Sequence, residues 1–234
     1  ATTGMLYLDA VMSGSYIYIT GYNESVSPTR GFIISYDLNG NPQNQIDLAG
    51  ANQILLYGIA INSSGSIIVT GMYSSDLLVA SYSSSGVTEW IKSFATTSAD
   101  VGRSVTCDSS GNIYIVGYEN SSDASISKLT STGTVVWLKK LYSNNTEQFY
   151  KIRLDSSGNL FVVGVSYSYA TNTEDMLITK YDSDGVLLWS RTFGNSSSSD
   201  IAWDFCIGND GYVYVTGNGY STVYQEYRAI LVVK

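Results

Sequence analysis

The sequence predicts an all-β fold made of five similar units, and three observations lead to this prediction. A ten-residue phrase, a turn followed by a strand-like run that ends in glycine, occurs five times, at residues 12–21, 62–71, 108–117, 155–164 and 208–217. The closing glycines are 50, 46, 47 and 53 residues apart. The runs are rich in β-branched and aromatic residues and show no sustained helical periodicity. A repeat of this length built from strands is typical of a β-propeller with one blade per unit.

Each unit is predicted to be a four-stranded antiparallel meander, and the fourth unit shows the complete pattern. Its strand-like runs cover residues 149–154, 159–163, 175–180 and 186–190. Asp or Asn opens the turns, because its side chain bonds the backbone two residues on, and glycine supplies the positive φ of a tight hairpin. The glycines expected to do so in the first hairpin of each unit are Gly14, Gly65, Gly111, Gly158 and Gly211.

The repeat boundaries divide residues 1–234 into a single domain of five blades. The blades cover about residues 1–50, 51–97, 98–144, 145–197 and 198–234. The fifth unit ends at residues that align with the third strand of the fourth unit, so the sequence is either five blades of which the last lacks its outer strand, which we expect, or a piece of a longer chain. The open edge of Arg228–Lys234 should then be covered, by a strand from another protomer or by the N-terminus, because a bare edge promotes aggregation.

Three tryptophans recur at one position of the fourth strand, each four residues after a turn glycine. They are Trp90, Trp137 and Trp189. A large side chain that recurs at one strand position is typical of a wedge between neighbouring blades, and this is the role we expect. The alternative is a ring of platforms on which sugars stack.

The charge of the chain restricts its partners. It has 20 acidic and 12 basic residues, a net charge of −8, and no histidine. Nucleic acids and anionic membranes bind clusters of Lys and Arg, so neither is expected as a partner. No apolar stretch reaches transmembrane length, so no membrane insertion is expected. Cys107 and Cys206 lie in units that are not neighbours, which predicts two buried free thiols rather than a disulfide.

The polar composition favours an exported protein. Only 14% of the residues are charged, and five motifs of the Asn-x-Ser/Thr type are present. In a secreted chain these motifs would be glycosylation acceptors, so we expect an extracellular or cell-surface glycoprotein. The candidate acceptors are Asn23, Asn62, Asn120, Asn144 and Asn195.

Residues Thr179–Gly217, TKYDSDGVLLWSRTFGNSSSSDIAWDFCIGNDGYVYVTG, resemble the SBBP β-propeller repeat of bacteria and archaea. The shared pattern is a Lys-hydrophobic-Asp-x-x-Gly turn, an aromatic strand, a Gly-rich linker, an acidic residue, and a strand ending in Asp-x-x-Gly-aromatic-hydrophobic-Val-x-Gly. The resemblance implies a propeller blade and little about function, since such repeats occur in diverse surface and extracellular proteins. The Gly-x-x-x-Trp strand is also similar to that of quinoprotein propellers, but adjacent cysteines and clustered basic residues are missing, so no cofactor is expected.

The connections from the second to the third strand are expected to be long, variable loops on one face of the propeller. Function on scaffold folds usually lies in such loops. These loops are rich in tyrosine, which combines a stacking ring with a hydroxyl, so a tyrosine rim could bind glycans or a protein surface. The rim residues are Tyr22, Tyr73, Tyr118, Tyr167 and Tyr220, with Tyr169 and Tyr224 beside the last two.

A second recurrence is acidic. Asp100, Glu147 and Asp200 each lie eleven residues before a hairpin glycine, near the expected mouth of the central channel. Their carboxylates either form an acidic mouth that attracts cations or accept backbone N–H bonds that hold the linker, and we favour the second interpretation. No metal site is expected.

Enzymatic function is not expected. The absence of histidine removes the usual general base and the Ser-His-Asp triad. Loop carboxylates, Glu119 with Asp123 or Glu174 with Asp175, remain candidates for a carbohydrate-active enzyme. The leading hypothesis is a non-catalytic extracellular module for binding or assembly, and the alternative is a glycan-binding, lectin-like propeller.

Overall fold

The structure, a computed structural model, describes residues 4–48, 50–94, 99–120, 123–141, 146–194, 198–221 and 226–233. In these ranges nineteen strands form five antiparallel sheets, four with four strands and the last with three. No helix in the described ranges is long and apolar enough to cross a bilayer. The prediction of an all-β fold whose last sheet has three strands is confirmed.

Each sheet consists of strands that follow one another along the chain. The first contains β1 (Met5–Ser13), β2 (Tyr16–Asn23), β3 (Arg30–Asp37) and β4 (Pro42–Leu48). The second contains β5 (Ile54–Ile61), β6 (Ile67–Tyr73), β7 (Asp76–Tyr82) and β8 (Thr88–Phe94). The third contains β9 (Asp100–Cys107), β10 (Ile113–Glu119), β11 (Asp123–Leu129) and β12 (Val135–Lys140). The fourth contains β13 (Thr146–Leu154), β14 (Leu160–Ser168), β15 (Thr173–Tyr181) and β16 (Leu187–Phe193). The fifth contains β17 (Ile201–Ile207), β18 (Val213–Ser221) and β19 (Glu226–Val233). Hydrogen-bonded neighbours are consecutive strands in every sheet, which is the topology of propeller blades.

The strands belong to two compact units. The first unit comprises residues 1–115 and 128–136, with the first two sheets and part of the third. The second comprises residues 116–127 and 137–234, with the remainder of the third sheet and the fourth and fifth. The prediction of a single domain over residues 1–234 depends on how these two units are arranged, so it stays a prediction.

Apolar side chains from facing sheets form the core of each unit. In the first unit, one cluster joins the first and second sheets and includes the fully buried Leu56 and Val69. Another cluster joins the second and third sheets around Ile68 and Ile113. In the second unit, the cluster around Val163 joins the fourth and fifth sheets. Removal of these faces from water is the main force that holds one sheet on the next.

Glycine organises the first hairpin of each sheet, as predicted, and an acidic or amide side chain assists it in the second to fifth sheets. The five hairpin glycines have φ values between 58° and 85°. In the third sheet, Asp108 Oδ1 accepts hydrogen bonds from the backbone N–H groups of Ser110 and Asn112, both at 2.9 Å. Its Oδ2 accepts bonds from Asn112 Nδ2 at 2.7 Å and from the Tyr114 hydroxyl at 3.1 Å. Partial burial raises the pKa of Asp108, but these bonds outweigh burial and hold the pKa below its ordinary value.

The closing glycine of the repeated phrase accommodates a β-bulge in the first strand. In the fourth sheet Gly164 pairs with Phe149, and the register shifts between Phe149 and Lys151. A Cβ on Gly164 would lie 1.9 Å from the carbonyl oxygen of Gln148. The same close approach and register shift recur at Gly21, Gly71 and Gly217. Only a residue without a Cβ lets the carbonyl come this close, so the closing glycine determines where the strand bulges.

The repeated tryptophans pack between sheets, which confirms their predicted role as wedges. In the first unit the Trp90 ring lies against the turn of the third sheet, 2.9 Å from an ideal Cβ on Gly133. In the second unit the Trp137 ring lies in the same way against Gly185 of the fourth sheet, at 3.0 Å. Trp189 packs at the edge of the core between the fourth and fifth sheets. These contacts fasten each outer strand to the following sheet.

The two cysteines are free thiols, but their exposure differs. Cys107 is half-buried, and burial, followed by the charge of Asp108, raises the pKa of its thiol to about 12. Cys206 is exposed, which corrects the expectation of two buried thiols. Side chains alternate along a strand, so Cys206 points away from the core that its neighbour Phe205 enters.

Candidate functional site

Each β-bulge places one extra side chain in the first strand of its sheet, thirteen residues before the closing glycine in the first sheet and fourteen in the others. A bulged residue is left out of the regular pairing, and its side chain is re-aimed. The register shifts of the first, second, fourth and fifth sheets identify these bulge residues as Leu8, Tyr57, Tyr150 and Trp203. The same spacing identifies Arg103 in the third sheet. Aromatic and cationic side chains thus recur at one structural position.

In the first unit, two bulge residues are packed together. The guanidinium of Arg103 lies over the Tyr57 ring, 4.8 Å from its centroid. Tyr22 meets the Tyr57 ring edge-on, with centroids 6.0 Å apart and an interplanar angle of 75°. Partial burial, followed by the charge of Glu24, raises the pKa of Tyr22 against the opposing effect of Arg103. All three side chains are half-buried, so this cluster is closed by its own contacts.

In the second unit, the bulge residues Tyr150 and Trp203 form a more open stack. Their ring centroids are 4.9 Å apart, and the planes differ by only 16°. The Tyr150 hydroxyl donates a hydrogen bond to Gln148 Oε1 at 2.8 Å. Trp203 is 46% exposed, whereas the other three tryptophans are half-buried. One face of the indole therefore rests on Tyr150 while much of the ring stays open to solvent.

A partly exposed ion pair joins the same two strands. Arg153 Nη2 in β13 donates to Asp204 Oδ1 in β17 at 3.0 Å. The side chains of Arg153 and Asp204 are 43% and 50% exposed, and Asp204 directly follows Trp203. We call Tyr150, Trp203, Arg153 and Asp204 the Trp203 platform. It combines a flat apolar surface with donors and an acceptor for hydrogen bonds.

The rim tyrosines lie at the ends of the second strands rather than in long loops. Only two residues separate β6 from β7, and four separate β14 from β15. The second and third strands continue to pair beyond the closing glycine, and this pairing takes the tyrosines into the sheets. The half-buried members are Tyr22, Tyr73, Tyr118 and Tyr167. The side chain of Tyr220 and the whole of Tyr224 lie outside the described residues, and ligand binding by the rim stays a prediction.

Two rim tyrosines have well-defined surroundings. Tyr73 lines a cleft of about 440 Å³ between the first and second sheets. The Tyr167 hydroxyl donates to Asn172 Oδ1 at 2.5 Å, and its ring meets Tyr169 edge-on with centroids 5.1 Å apart. Tyr169 is 67% exposed, and its hydroxyl forms a hydrogen bond with Thr146 at 2.7 Å.

The three recurrent acidic residues are buried. Asp100, Glu147 and Asp200 are 3%, 4% and 7% exposed. Glu147 Oε1 accepts a hydrogen bond from Ser166 at 3.3 Å, and the backbone N–H of Asp200 donates to the Glu174 carbonyl at 2.6 Å. Among the residues that the structure describes, no three acidic or thiol side chains converge so that they could hold a metal ion. The location of these carboxylates at a channel mouth stays a prediction.

The carboxylates considered for catalysis lie in strands rather than in loops. They are Glu119, Asp123, Glu174 and Asp175. Glu119 is buried and forms an ion pair with Lys140 at 2.5 Å. Burial raises the pKa of Asp175, and the charge of Asp200 raises it further. Glu119 is therefore held in a structural ion pair with Lys140. The charge of the buried Asp200 disfavours the ionised form of Asp175.

The glycosylation candidates differ in exposure. Asn62 is buried, and its Oδ1 accepts hydrogen bonds from two backbone N–H groups in the turn between β5 and β6. Asn23 is half-buried, and Asn120 is exposed with a φ of 55°. Asn144 and Asn195 lie outside the described residues. Asn120 is thus the most accessible acceptor among those described.

The Trp203 platform was not predicted from the sequence. Strict alternation along the first strand assumes regular pairing, and a bulge moves one residue out of that alternation. The available signal was the aromatic or basic residue that occurs fourteen positions before most of the closing glycines.

The sheets, their order and the repeated bulges define the protein as a β-propeller. The family model for the SBBP β-propeller repeat matches residues 89–123, from β8 to the first residue of β11. The chain therefore contains an SBBP-type repeat, as its resemblance predicted. No curated protein matches the chain significantly.

Solved structures from several organisms share the fold. A protein of unknown function from Bacteroides caccae is 13% identical, with 94% of this chain and 73% of that chain covered and a TM-score of 0.59. A catalytically inactive histidine-to-alanine variant of virginiamycin B lyase from Staphylococcus aureus, with quinupristin, is 16% identical, with 100% and 71% covered and a TM-score of 0.62. The β-propeller domain of the Trilobed protease from Pyrococcus furiosus, which has an open velcro topology, is 11% identical, with 99% and 69% covered and a TM-score of 0.59. At these identities the similarity concerns the fold alone.

Proposed function

We propose that this protein is a non-catalytic binding or assembly module of the cell surface or extracellular space, and that it binds partners by strand addition to its last sheet. The observation that carries the proposal is the strand order β17-β18-β19. β19 pairs with β18 along one side, from Val213↔Val233 to Ser221↔Glu226. Among the strands that the structure describes, β18 is the one neighbour of β19, and such a strand presents a row of main-chain N–H and C=O groups along its other side. Extended segments bind such edges through main-chain hydrogen bonds.

The repeat indicates which segment would fit this edge. β19 holds the third place in its sheet, as β15 does in the fourth sheet, where β16 pairs antiparallel with β15. A fourth-strand segment of the same repeat, apolar with a central tryptophan, is therefore the complement that we expect. It would come from another protomer or from a partner that carries similar repeats.

The test uses a synthetic peptide with the sequence of residues 182–193, DSDGVLLWSRTF. Isothermal titration calorimetry measures its binding to the protein, and hydrogen exchange measures protection of the amides of residues 226–233. We expect saturable binding and slower exchange in that strand. If exchange in β19 does not change, strand addition is wrong.

A matched control peptide carries proline in place of both Leu187 and Leu188. Alternate N–H groups of a strand point to the same neighbour, so one of two consecutive prolines must remove a donor that the added strand needs. This peptide should not bind. Equal binding of the two peptides would show that the contact does not use a β-ladder.

Self-assembly has its own readout. Sedimentation velocity over a wide range of protein concentration should show a reversible oligomer, and an excess of the peptide of residues 182–193 should dissociate it. An oligomer that persists in saturating peptide would place the contact elsewhere.

The absence of histidine supports a non-catalytic role. The virginiamycin B lyase variant that shares the fold is catalytically inactive with one histidine replaced by alanine. This chain has no histidine at any position, so chemistry that depends on such a residue has no equivalent here. The carboxylates considered above are buried or lie within strands, which further favours binding over catalysis.

The low charge and the acceptor motifs support export. Expression in a glycosylating host, followed by peptide mass spectrometry, tests this part of the proposal. We expect occupancy at the exposed Asn120 and none at the buried Asn62. An unmodified Asn120 in a secreted preparation would contradict the glycoprotein hypothesis.

Glycan binding is the second candidate function. The half-buried rim tyrosines support it less than the sequence suggested, because their rings lie within strands. The exposed ring of Trp203 supports it better, since sugars stack on open aromatic faces.

A further inference from the structure

We propose that the Trp203 platform binds the apolar face of a neutral pyranose unit in a glycan. This inference rests on the glycan-binding candidate and not on strand addition to β19, so the two proposals can fail separately. The platform is formed by residues of the fourth and fifth sheets, within the second unit. Its indole is 46% exposed and stacked on Tyr150, and the ion pair of Arg153 and Asp204 joins the same two strands.

The β-bulge holds the indole in place before any ligand binds. The register of β17 and β18 shifts at Trp203, opposite Gly217. A Cβ on Gly217 would lie 1.9 Å from the carbonyl oxygen of Ile201, so the backbone of the bulge is tightly confined. Tyr150 supports the inner face of the indole and is itself fixed by its hydrogen bond to Gln148. A ring that is ordered in advance loses little conformational entropy when it binds.

The ion pair of the platform suits hydroxyls rather than a charged ligand. Arg153 offers N–H donors and Asp204 offers carboxylate acceptors, and both are about half exposed. Their opposite charges offset each other, so the platform has no strong preference for ionic ligands. The net charge of −8 on the chain further disfavours an acidic polysaccharide. A neutral pyranose presents an apolar face to the indole and hydroxyls to the ion pair.

The equivalent residues in the first unit show what a purely structural bulge contact looks like. There Arg103 covers the Tyr57 ring, and Tyr22 packs against its edge. Those side chains are half-buried, whereas Trp203 is 46% exposed; the bulge residue of the first sheet, Leu8, is 44% exposed but aliphatic. Among the bulge residues Trp203 is thus the one that presents an aromatic ring about half exposed to solvent, which favours the platform as a binding surface.

Calorimetric titration of the full chain with cellohexaose, chitohexaose and maltohexaose tests the proposal. We expect at least one of these neutral hexasaccharides to bind, and Trp203→Ala to weaken that binding by roughly tenfold or more, which is about 1.4 kcal/mol. Trp203→Tyr should recover part of the affinity because it restores a stacking ring. The matched control is Tyr16→Ala, which removes an aromatic residue that is 43% exposed and lies outside both the platform and the tyrosine rim.

Several results would overturn the proposal. The proposal is wrong if none of the three sugars binds, or if Trp203→Ala binds them as tightly as the natural protein does. A loss of affinity in Tyr169→Ala equal to that in Trp203→Ala would move the site to the rim. Preferential binding of an aromatic peptide would overturn the assignment to sugars. Asp204→Asn keeps the indole stack and tests the polar border: it should weaken sugar binding several-fold with an unchanged melting temperature. Binding of the peptide of residues 182–193 should be the same in Trp203→Ala and the natural protein.

Discussion

Replacement of Gly164 by alanine is expected to destabilise the protein by about 3–5 kcal/mol. The new Cβ would lie 1.9 Å from the carbonyl oxygen of Gln148, whereas ordinary van der Waals contact begins at 3.4 Å. The obstructing atoms belong to the backbone, so no change of rotamer relieves the overlap, and β13 would have to retreat by about 1.5 Å. That movement would disturb the bulge between Phe149 and Lys151 and the ladder bonds beside it, each worth about 1 kcal/mol.

Urea unfolding followed by tryptophan fluorescence measures this loss, and Gly158→Ala is the matched control. Gly158 lies in the first hairpin of the same sheet, with a φ of 80° and no atom within 4 Å of an ideal Cβ. Alanine there meets only the strain of a left-handed backbone, about 1–2 kcal/mol. If Gly164→Ala costs no more than Gly158→Ala, the role assigned to the closing glycine is wrong.

Four further predictions address the turns, the wedges and the titrating groups. Gly111→Val should cost about 1–3 kcal/mol, because φ is 82° at this position, and an unchanged thermal melt would contradict the turn assignment. Trp137→Ala should cost about 3 kcal/mol, because its ring packs against the following sheet, and a fully stable variant would contradict the wedge. At about pH 8, iodoacetamide should modify the exposed Cys206 quickly and Cys107 slowly, because burial raises the pKa of Cys107 to about 12. Peptide mass spectrometry measures the two rates of modification, and equal rates would refute this prediction. The pKa of Asp108 is lowered in the folded state, so its contribution to the free energy of unfolding is present above about pH 4 and is lost as the pH falls through the folded-state pKa. Asp108→Asn should reduce the acid dependence of stability while it preserves the turn, since asparagine forms the equivalent turn in the second sheet; an unchanged slope of stability against pH would contradict this.

The repeat pattern was sufficient to predict the architecture. The hairpin glycines, the acidic turn residues and the tryptophans recur at fixed spacings, and each acts through contacts within one sheet or with the next. Local backbone preferences and side-chain alternation govern such contacts, and both can be read along the chain. The three-stranded last sheet follows from the same alignment of repeats.

The sites were harder to predict, because their geometry depends on strands that meet only after folding. The rim tyrosines were expected in loops, but pairing continues past the closing glycine and draws them into the ladder. The sequence marked those glycines as invariant features of the repeat without revealing their purpose. Only the structure shows that a carbonyl of the neighbouring strand presses against them and forces a bulge.

The sequence by itself determined the number of units, the all-β class and the residues that form the turns, because turn chemistry and strand alternation act over a few residues. The tertiary structure decided which side chains face solvent. Tyr150 and Trp203 are more than fifty residues apart along the chain, and a shift of one residue at each bulge brings their rings into a stack. Such a shift arises because two backbones approach each other closely. No local pattern of residue types shows which side chain the shift leaves exposed to solvent.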